Sequence, residues 1–400
     1  MPALAQRLGR VQVAASTTMT VRARELRAAG KDVVALTLGE PAFATPRHAI
    51  EAGLEAARRG ETKYPPQDGV PALKQAIQRK FKRDSGLDFA LDEISVSNGG
   101  KQSIFNALAA TVDPGDEVVI PVPSWNAYPL MTNFLDGRPV FVACPQNNGF
   151  KPRAEDIEAA LTPRSKWLIL NNPNNPSGAA CSADELAAIA AVLRRHPGVW
   201  IMSDDMYEHL VFDGFRHATM AAVAPDLRDR VLTISGVSKT YAMTGWRIGF
   251  AAGPRALIKA MVNMQGQVTA GVSTVGQAAA AAALDGPQES VGEMVAAYQR
   301  RRDLAVEMLN ACRGLSCHKP EGAFYVFPNV AGCLDRTTPG GRRIKSDTDF
   351  ALALLEEAYV ALVPGASYGM SPYVRVSTAA DEAVLVEGCR RIQRFCAALA

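Results

Sequence analysis

Between residues 167 and 204 the chain reads WLILNNPNNPSGAACSADELAAIAAVLRRHPGVWIMSD. Trp167-Leu168-Ile169-Leu170 is a short apolar run of strand length, and so is Val199-Trp200-Ile201-Met202. The segment between them predicts a helix over 182–195. Ser182 opens it with Glu185 three residues on, the spacing at which each side chain can satisfy the other's backbone N–H.

The same alternation extends outward over about residues 94 to 285. Ile94-Ser95-Val96-Ser97, Glu117-Val118-Val119-Ile120 and Val140-Phe141-Val142 precede the quoted stretch, and Val231-Leu232-Thr233-Ile234 follows it. Lys101–Val112 is a further helix candidate, and the alanine-rich stretch from Gln277 to Leu284 reads as a packed helix. Strands alternating with helices predict an α/β fold with a mostly parallel sheet covered on both faces. Ligands of such sheets sit beyond the carboxyl ends of the strands. Gly99-Gly100-Lys101, Asn171 to Gly178, Asp204 and Ser235 to Lys239 all fall there. From about residue 290 the character changes to a charged helix around Tyr298–Asp303, then strand-like Ala323–Phe327 and Tyr373–Val376. The expected division is an N-terminal arm at 1–45 contributing to the smaller domain, a large domain at 46–287 and a small α+β domain at 288–400.

Composition narrows the function. At 48% hydrophobic residues over 400 positions, the chain can bury the cores of two domains and is not disordered. The net charge is only +3, with no long basic run, which argues against a nucleic-acid partner. No apolar run reaches the length of a membrane span, and the N-terminus lacks the apolar centre of a signal peptide. The seven scattered cysteines, none in a Cys-x-x-Cys pair, read as reduced thiols of a cytoplasmic protein. Five scattered histidines lack ligand spacing, so no metal site is expected.

The motif richest in chemistry is Gly236-Val237-Ser238-Lys239-Thr240-Tyr241-Ala242-Met243-Thr244-Gly245-Trp246-Arg247-Ile248-Gly249. It resembles the cofactor-lysine signature of the class I/II aminotransferases, the fold-type-I pyridoxal-phosphate enzymes. Other matches keep the family's chain order: Gly39-Glu40-Pro41, Lys63-Tyr64, Gly99-Gly100-Lys101-Gln102, Asn171 to Gly178, Ser203 to Glu208, and Tyr373-Val374-Arg375. The resemblance runs from about residue 16 to the C-terminus and is strongest to bacterial aspartate aminotransferase-like enzymes.

It implies pyridoxal 5'-phosphate held in a Schiff base by Lys239, whose freed amine then moves a proton at the substrate Cα. By resemblance Asp204 pairs with the pyridine nitrogen. Neighbouring Asp205 stands where the family usually has glutamate or another residue. Tyr207 and Asn175 hydrogen-bond the phenolic oxygen, and Trp125 stacks on the ring. The phosphate falls to the backbone of Gly100 and Lys101 at a helix N-terminus, to Ser238 and to Arg247. Tyr64 is implied to reach the phosphate of the neighbouring subunit of a homodimer. Arg375 grips the substrate α-carboxylate, with Gly39 and Asn175 beside it.

Lys101, in Gly-Gly-Lys-Gln, matches the lysine thought to meet the distal carboxylate of dicarboxylic substrates. Such relatives carry a Ser-x-Thr stretch where this chain has Ala14-Ala15-Ser16, and acidic residues where it has Ala42 and Ala44. The activity implied is transfer of an amino group between an L-amino acid and a 2-oxo acid, with aspartate or glutamate in one half-reaction. An aromatic or kynurenine-type aminotransferase, and a carbon–sulfur lyase on the same fold, remain open. A ligand-sensing transcription regulator ranks last, because no DNA-binding domain precedes Gly39-Glu40-Pro41.

Overall fold

Successive side chains of a strand point to opposite faces of its sheet, and the apolar runs use both. Leu168 and Leu170 enter one hydrophobic core, Trp167 and Ile169 the other. The computed structural model describes residues 4–10 and 15–400. Its strands are β1 (Val34–Ala35), β2 (Ile94–Ser97), β3 (Glu117–Val122), β4 (Arg138–Ala143), β5 (Ser165–Asn171), β6 (Trp200–Asp204), β7 (Val231–Gly236), β8 (Gly249–Ala252), β9 (Tyr325–Val326), β10 (Val360–Ala361), β11 (Val363–Pro364) and β12 (Val374–Ser377).

Seven of them form one sheet in the order β2-β8-β7-β6-β5-β3-β4. All pairings are parallel except the two that β8 makes with β2 and β7. The α/β expectation, a mostly parallel sheet under helices, is borne out. Helices Pro71–Ser85, Ala183–Leu193 and Thr274–Asp285 cover one face. Gly100–Ala109, Ala127–Phe134 and Arg255–Val268 cover the other. The reciprocal cap forms as expected: the Glu185 N–H donates to Ser182 Oγ at 3.2 Å, and the Ser182 N–H donates to Glu185 Oε2 at 2.7 Å.

A separate core gathers residues of helices Glu289–Asn310, Asp347–Ala358 and Glu382–Ala397 around β9, β10 and β12. Val34 and Leu36, from near the N-terminus, belong to that core. β1 pairs in parallel with β10, so the early chain is stitched to the late one. All seven cysteines are free and buried. Among the described residues no helix is long and apolar enough to cross a membrane.

Candidate active site

β2, β3, β5, β6 and β7 run in the same direction, so their carboxyl ends share one edge. A cavity of about 660 Å³ opens there, against the 37–40 segment and β12. Gly39, Gly100, Lys101, Trp125, Asn175, Asp204, Tyr207, Ser238, Lys239, Arg247 and Arg375 all line it. Of the residues singled out in the sequence, Tyr64 stands apart: its ring is 96% exposed and outside the cavity wall.

Lys239 lies on the loop after β7, and its Nζ donates to the Gly39 carbonyl at 2.6 Å. Burial pushes its pKa down to about 8, Arg375 and Arg247 adding to the effect while Glu40 opposes it. Gly39 has no room for a side chain, because a Cβ there would strike the Tyr325 hydroxyl.

Asp204 ends β6, almost wholly buried. Burial and the adjacent Asp205 raise its pKa to about 6, against a lowering hydrogen bond from Tyr128. The Tyr128 hydroxyl donates to Asp204 Oδ2 at 2.6 Å, and the Met206 N–H donates to Oδ1 at 3.3 Å. Asp205 points elsewhere, accepting from Ser203 Oγ at 2.8 Å. The Tyr207 hydroxyl meets that of Tyr325 at 3.0 Å. Burial, then Tyr325, raises the Tyr207 pKa well above the usual tyrosine value, so it stays a neutral donor.

At the start of helix Gly100–Ala109, two chain segments meet so closely that side chains are excluded. A Cβ on Gly249 would run into the backbone of Gly99 and Gly100, and one on Gly99 would run into the Arg247 guanidinium. Gly99 also has φ 85°, a region glycine enters at little cost. The result is bare backbone N–H at a helix N-terminus beside Arg247, a combination suited to an anion. Arg247 is braced by the Thr244 carbonyl at 2.9 Å and that of Asn98 at 3.2 Å. Ser238, buried, lines the same wall. Trp125 stands edge-on to Tyr128, ring centroids 5.5 Å apart at 87°.

Arg375 is 6% exposed on β12. Its Nη1 donates to Asn175 Oδ1 at 3.0 Å and its Nη2 to the Thr37 carbonyl at 2.6 Å. It stacks over the rings of Tyr325 and Tyr368, 4.5 and 5.1 Å from their centroids. No carboxylate among the described residues pairs with it, and its buried Nε has no partner. A buried guanidinium lacking an anion is poised to take one from outside the chain.

Lys101 is exposed at the cavity mouth, its Nζ 5.4 Å above the Trp125 ring. Ala42 and Ala44 are exposed and away from the cavity wall, so their lost acidity does not alter its lining. Ala14 lies outside the described residues, as do the side chains of Ala15 and Ser16. The sequence did not reveal Tyr128, Tyr325, Tyr368 or Arg24, the last reaching the cavity from helix Ala15–Ala28. Their signal was weak because each reads as a core aromatic or a solvated helix residue.

Asp84, Glu208 and His209 also come together, close enough to ligate a cation. That cluster has its own: Lys80 Nζ lies 2.5 Å from Glu208 Oε2 and 3.7 Å from Asp84 Oδ2.

A family model described as "Aminotransferase class I and II" matches residues 31–392. The aspartate aminotransferase of Rhizobium meliloti is 52% identical over 98% of this chain and 96% of its own length. The aspartate/prephenate aminotransferase of Cereibacter sphaeroides is 52% identical over the whole of both chains. Among solved structures, the Rhizobium meliloti aspartate aminotransferase superimposes with a TM-score of 0.98 at 50% identity, covering both chains fully. The Thermus thermophilus aspartate aminotransferase with maleate gives 0.91 at 40% identity, over 99% of this chain and all of its own.

Proposed function

The chain belongs to the class I and II aminotransferases, and from that membership we propose that it uses pyridoxal 5'-phosphate to transfer the amino group of aspartate or glutamate to a 2-oxo acid. The observation that carries the reading is the pairing of Lys239 with Arg375 across one cavity. One is a buried amine with a depressed pKa, the other a buried guanidinium without an anion.

The residues present fit the cofactor. The side-chain-free cradle at Gly99-Gly100, with Ser238 and Arg247, suits its phosphate, and Asp204 supplies the anion for its ring nitrogen. When bound, pyridoxal phosphate supplies a reactive aldehyde carbon and a ring that withdraws electrons from the substrate Cα. Lys239 would hold it covalently, and its free amine would carry the proton to and from Cα. An amine with a pKa near 8 is a better base at neutral pH than an ordinary protonated lysine. Asp204 would keep the ring nitrogen protonated, Tyr207 and Asn175 would donate to the phenolic oxygen, and Trp125 would stack against the ring. Arg375 orients the α-carboxylate by exchanging neutral acceptors for an anionic one, and Gly39 leaves that approach open.

Lys101 favours a second carboxylate on the substrate. The Rhizobium relative's name supports aspartate, and a dicarboxylate, maleate, accompanies the Thermus enzyme. We also propose a homodimer in which Tyr64 reaches the neighbouring subunit's phosphate, a reading its 96% exposure supports. A cytoplasmic location is supported by seven unpaired cysteines. The separate hydrophobic cores support a large domain at 46–287 and a small one at 288–400 to which the N-terminal arm 1–45 contributes.

The test is a panel of L-amino acids with 2-oxoglutarate or oxaloacetate, following the 2-oxo acid and amino acid products of each. Aspartate with 2-oxoglutarate should yield oxaloacetate and glutamate in equal amounts, and Lys239→Ala should abolish both. Release of ammonia without a new amino acid would instead identify a lyase.

A further inference from the structure

Burial and a neighbouring carboxylate make Asp204 a costly anion. It is buried, its neighbour in the chain is Asp205, and its Oδ1 has only a 3.3 Å contact from the Met206 N–H. Asn171 Nδ2 donates to the Asp204 main-chain carbonyl, leaving the carboxylate untouched. The short hydrogen bond to the carboxylate comes from Tyr128. Its hydroxyl reaches Oδ2 at 2.6 Å from helix Ala127–Phe134, across 76 positions of sequence. A neutral hydroxyl in that position favours the ionised carboxylate, since a protonated one accepts its hydrogen bond less well.

We infer that Tyr128 is a positioning residue that holds Asp204 ionised and oriented, and thereby sets how tightly, and down to what pH, the protein keeps its cofactor. Three features support a dedicated role over simple packing. The ring is 1% exposed, so the hydroxyl has no access to solvent and depends on Asp204 for its partner. Burial, then Asp204, raises its own pKa well above the usual tyrosine value, so the proton stays on the phenol at working pH. The same ring meets Trp125 edge-on at 5.5 Å, so one side chain braces both the anion and the aromatic wall of the cavity. The other titratable groups facing Asp204 are Asp205 and Tyr207 on the turn after β6 and Lys239 on the loop after β7. Asp205 opposes the charge and Lys239 supports it.

The inference rests on the proposed use of pyridoxal phosphate, and the experiment separates the two. Dissociation constants for pyridoxal phosphate are measured on the full-length wild type and Tyr128→Phe from pH 5 to 9. The ratio of the two constants cancels the titration of Lys239 and of the cofactor itself. Removing one hydrogen bond to a charged group should weaken binding about tenfold to a hundredfold at pH 7. It should also move the acid limb of the affinity profile upward by about one to two pH units. The effect should vanish in an Asp204→Asn background, because the two changes act through one contact. Replacing Tyr128 by 3-fluorotyrosine, a stronger donor of nearly the same shape, should shift the limb the other way and guards against misfolding of the phenylalanine variant. Parallel pH profiles, or an equal loss with and without Asp204, would overturn the role of Tyr128 alone. A wild type that binds no pyridoxal phosphate would overturn both readings.

Discussion

A buried carboxylate exacts its cost only while it is ionised. Below pH about 4 Asp204 carries a proton in both folded and unfolded chains. Its folded pKa is raised to about 6, so stability is lost as pH climbs from about 4 through 6, to a total on the order of 3 kcal/mol. Asparagine does not titrate. Asp204→Asn should therefore make the cofactor-free chain harder to unfold in urea at pH 8, with the gain shrinking towards pH 5, while ruining cofactor retention. Equal gains at both pH values would show that ionisation is not the cause. Lys101 allows a second test. Its ammonium rests over Trp125 with no carboxylate among the described residues, so a dicarboxylic substrate gains a charge-assisted partner. Lys101→Ala should lower kcat/KM for aspartate about tenfold to a hundredfold and spare an apolar donor. Equal losses for all donors would assign the lysine to the cofactor instead. Single residues were legible where a motif surrounded them, as with Lys239, whose neighbours Ser238 and Arg247 share its cavity. Tyr128 was not, because its partner lies 76 positions away and Ala127-Tyr128-Pro129 reads as an ordinary helix start.

At the scale of elements, the parallel strands declared themselves through β-branched and apolar runs, and the Ser182 cap through its Glu185. β8 did not. Gly249-Phe250-Ala251-Ala252 has none of the branched residues that favour strands, yet it forms because both neighbours, β2 and β7, supply complete backbone pairing. Its first residue is glycine for the sake of the turn it faces at Gly99 and Gly100. Likewise only Tyr325–Val326 of the 323–327 run is strand, since Ala323 takes φ 56° and leaves the extended region. The Gly99 turn yields a prediction at this scale. Gly99→Ala adds both left-handed strain and a collision with Arg247. Gly115→Ala, at φ 89° with open space around it, adds strain alone. Gly115→Ala should cost about 1–2 kcal/mol of stability and Gly99→Ala more, and only Gly99→Ala should raise the pyridoxal phosphate dissociation constant, by about tenfold. Similar affinities in the two variants would remove the crowding argument.

For the molecule as a whole, the proposed homodimer with a crossing Tyr64 is tested by mixing subunits. Mixing Tyr64→Phe subunits with Lys239→Ala subunits gives hybrids with a single intact lysine. If Tyr64 crosses the interface, that lysine faces a wild-type tyrosine from its neighbour, and cofactor affinity there should equal that of the wild type. If affinity drops to that of the Tyr64→Phe homodimer, each tyrosine serves its own site. The architecture was readable from the alternation of runs, whereas the meeting of chain ends was not, since no local pattern tells Val34 that Val360 will lie beside it. That meeting has a consequence for how the protein is made. Arg375 donates to the Thr37 carbonyl 338 positions earlier, and Lys239 to that of Gly39, 200 positions earlier. At about 5–20 residues per second of synthesis, the Thr37 carbonyl is made roughly 17–70 seconds before its guanidinium partner exists. A nascent chain thus carries every strand of its parallel sheet, Lys239 included, long before the guanidinium that would grip a substrate has been made.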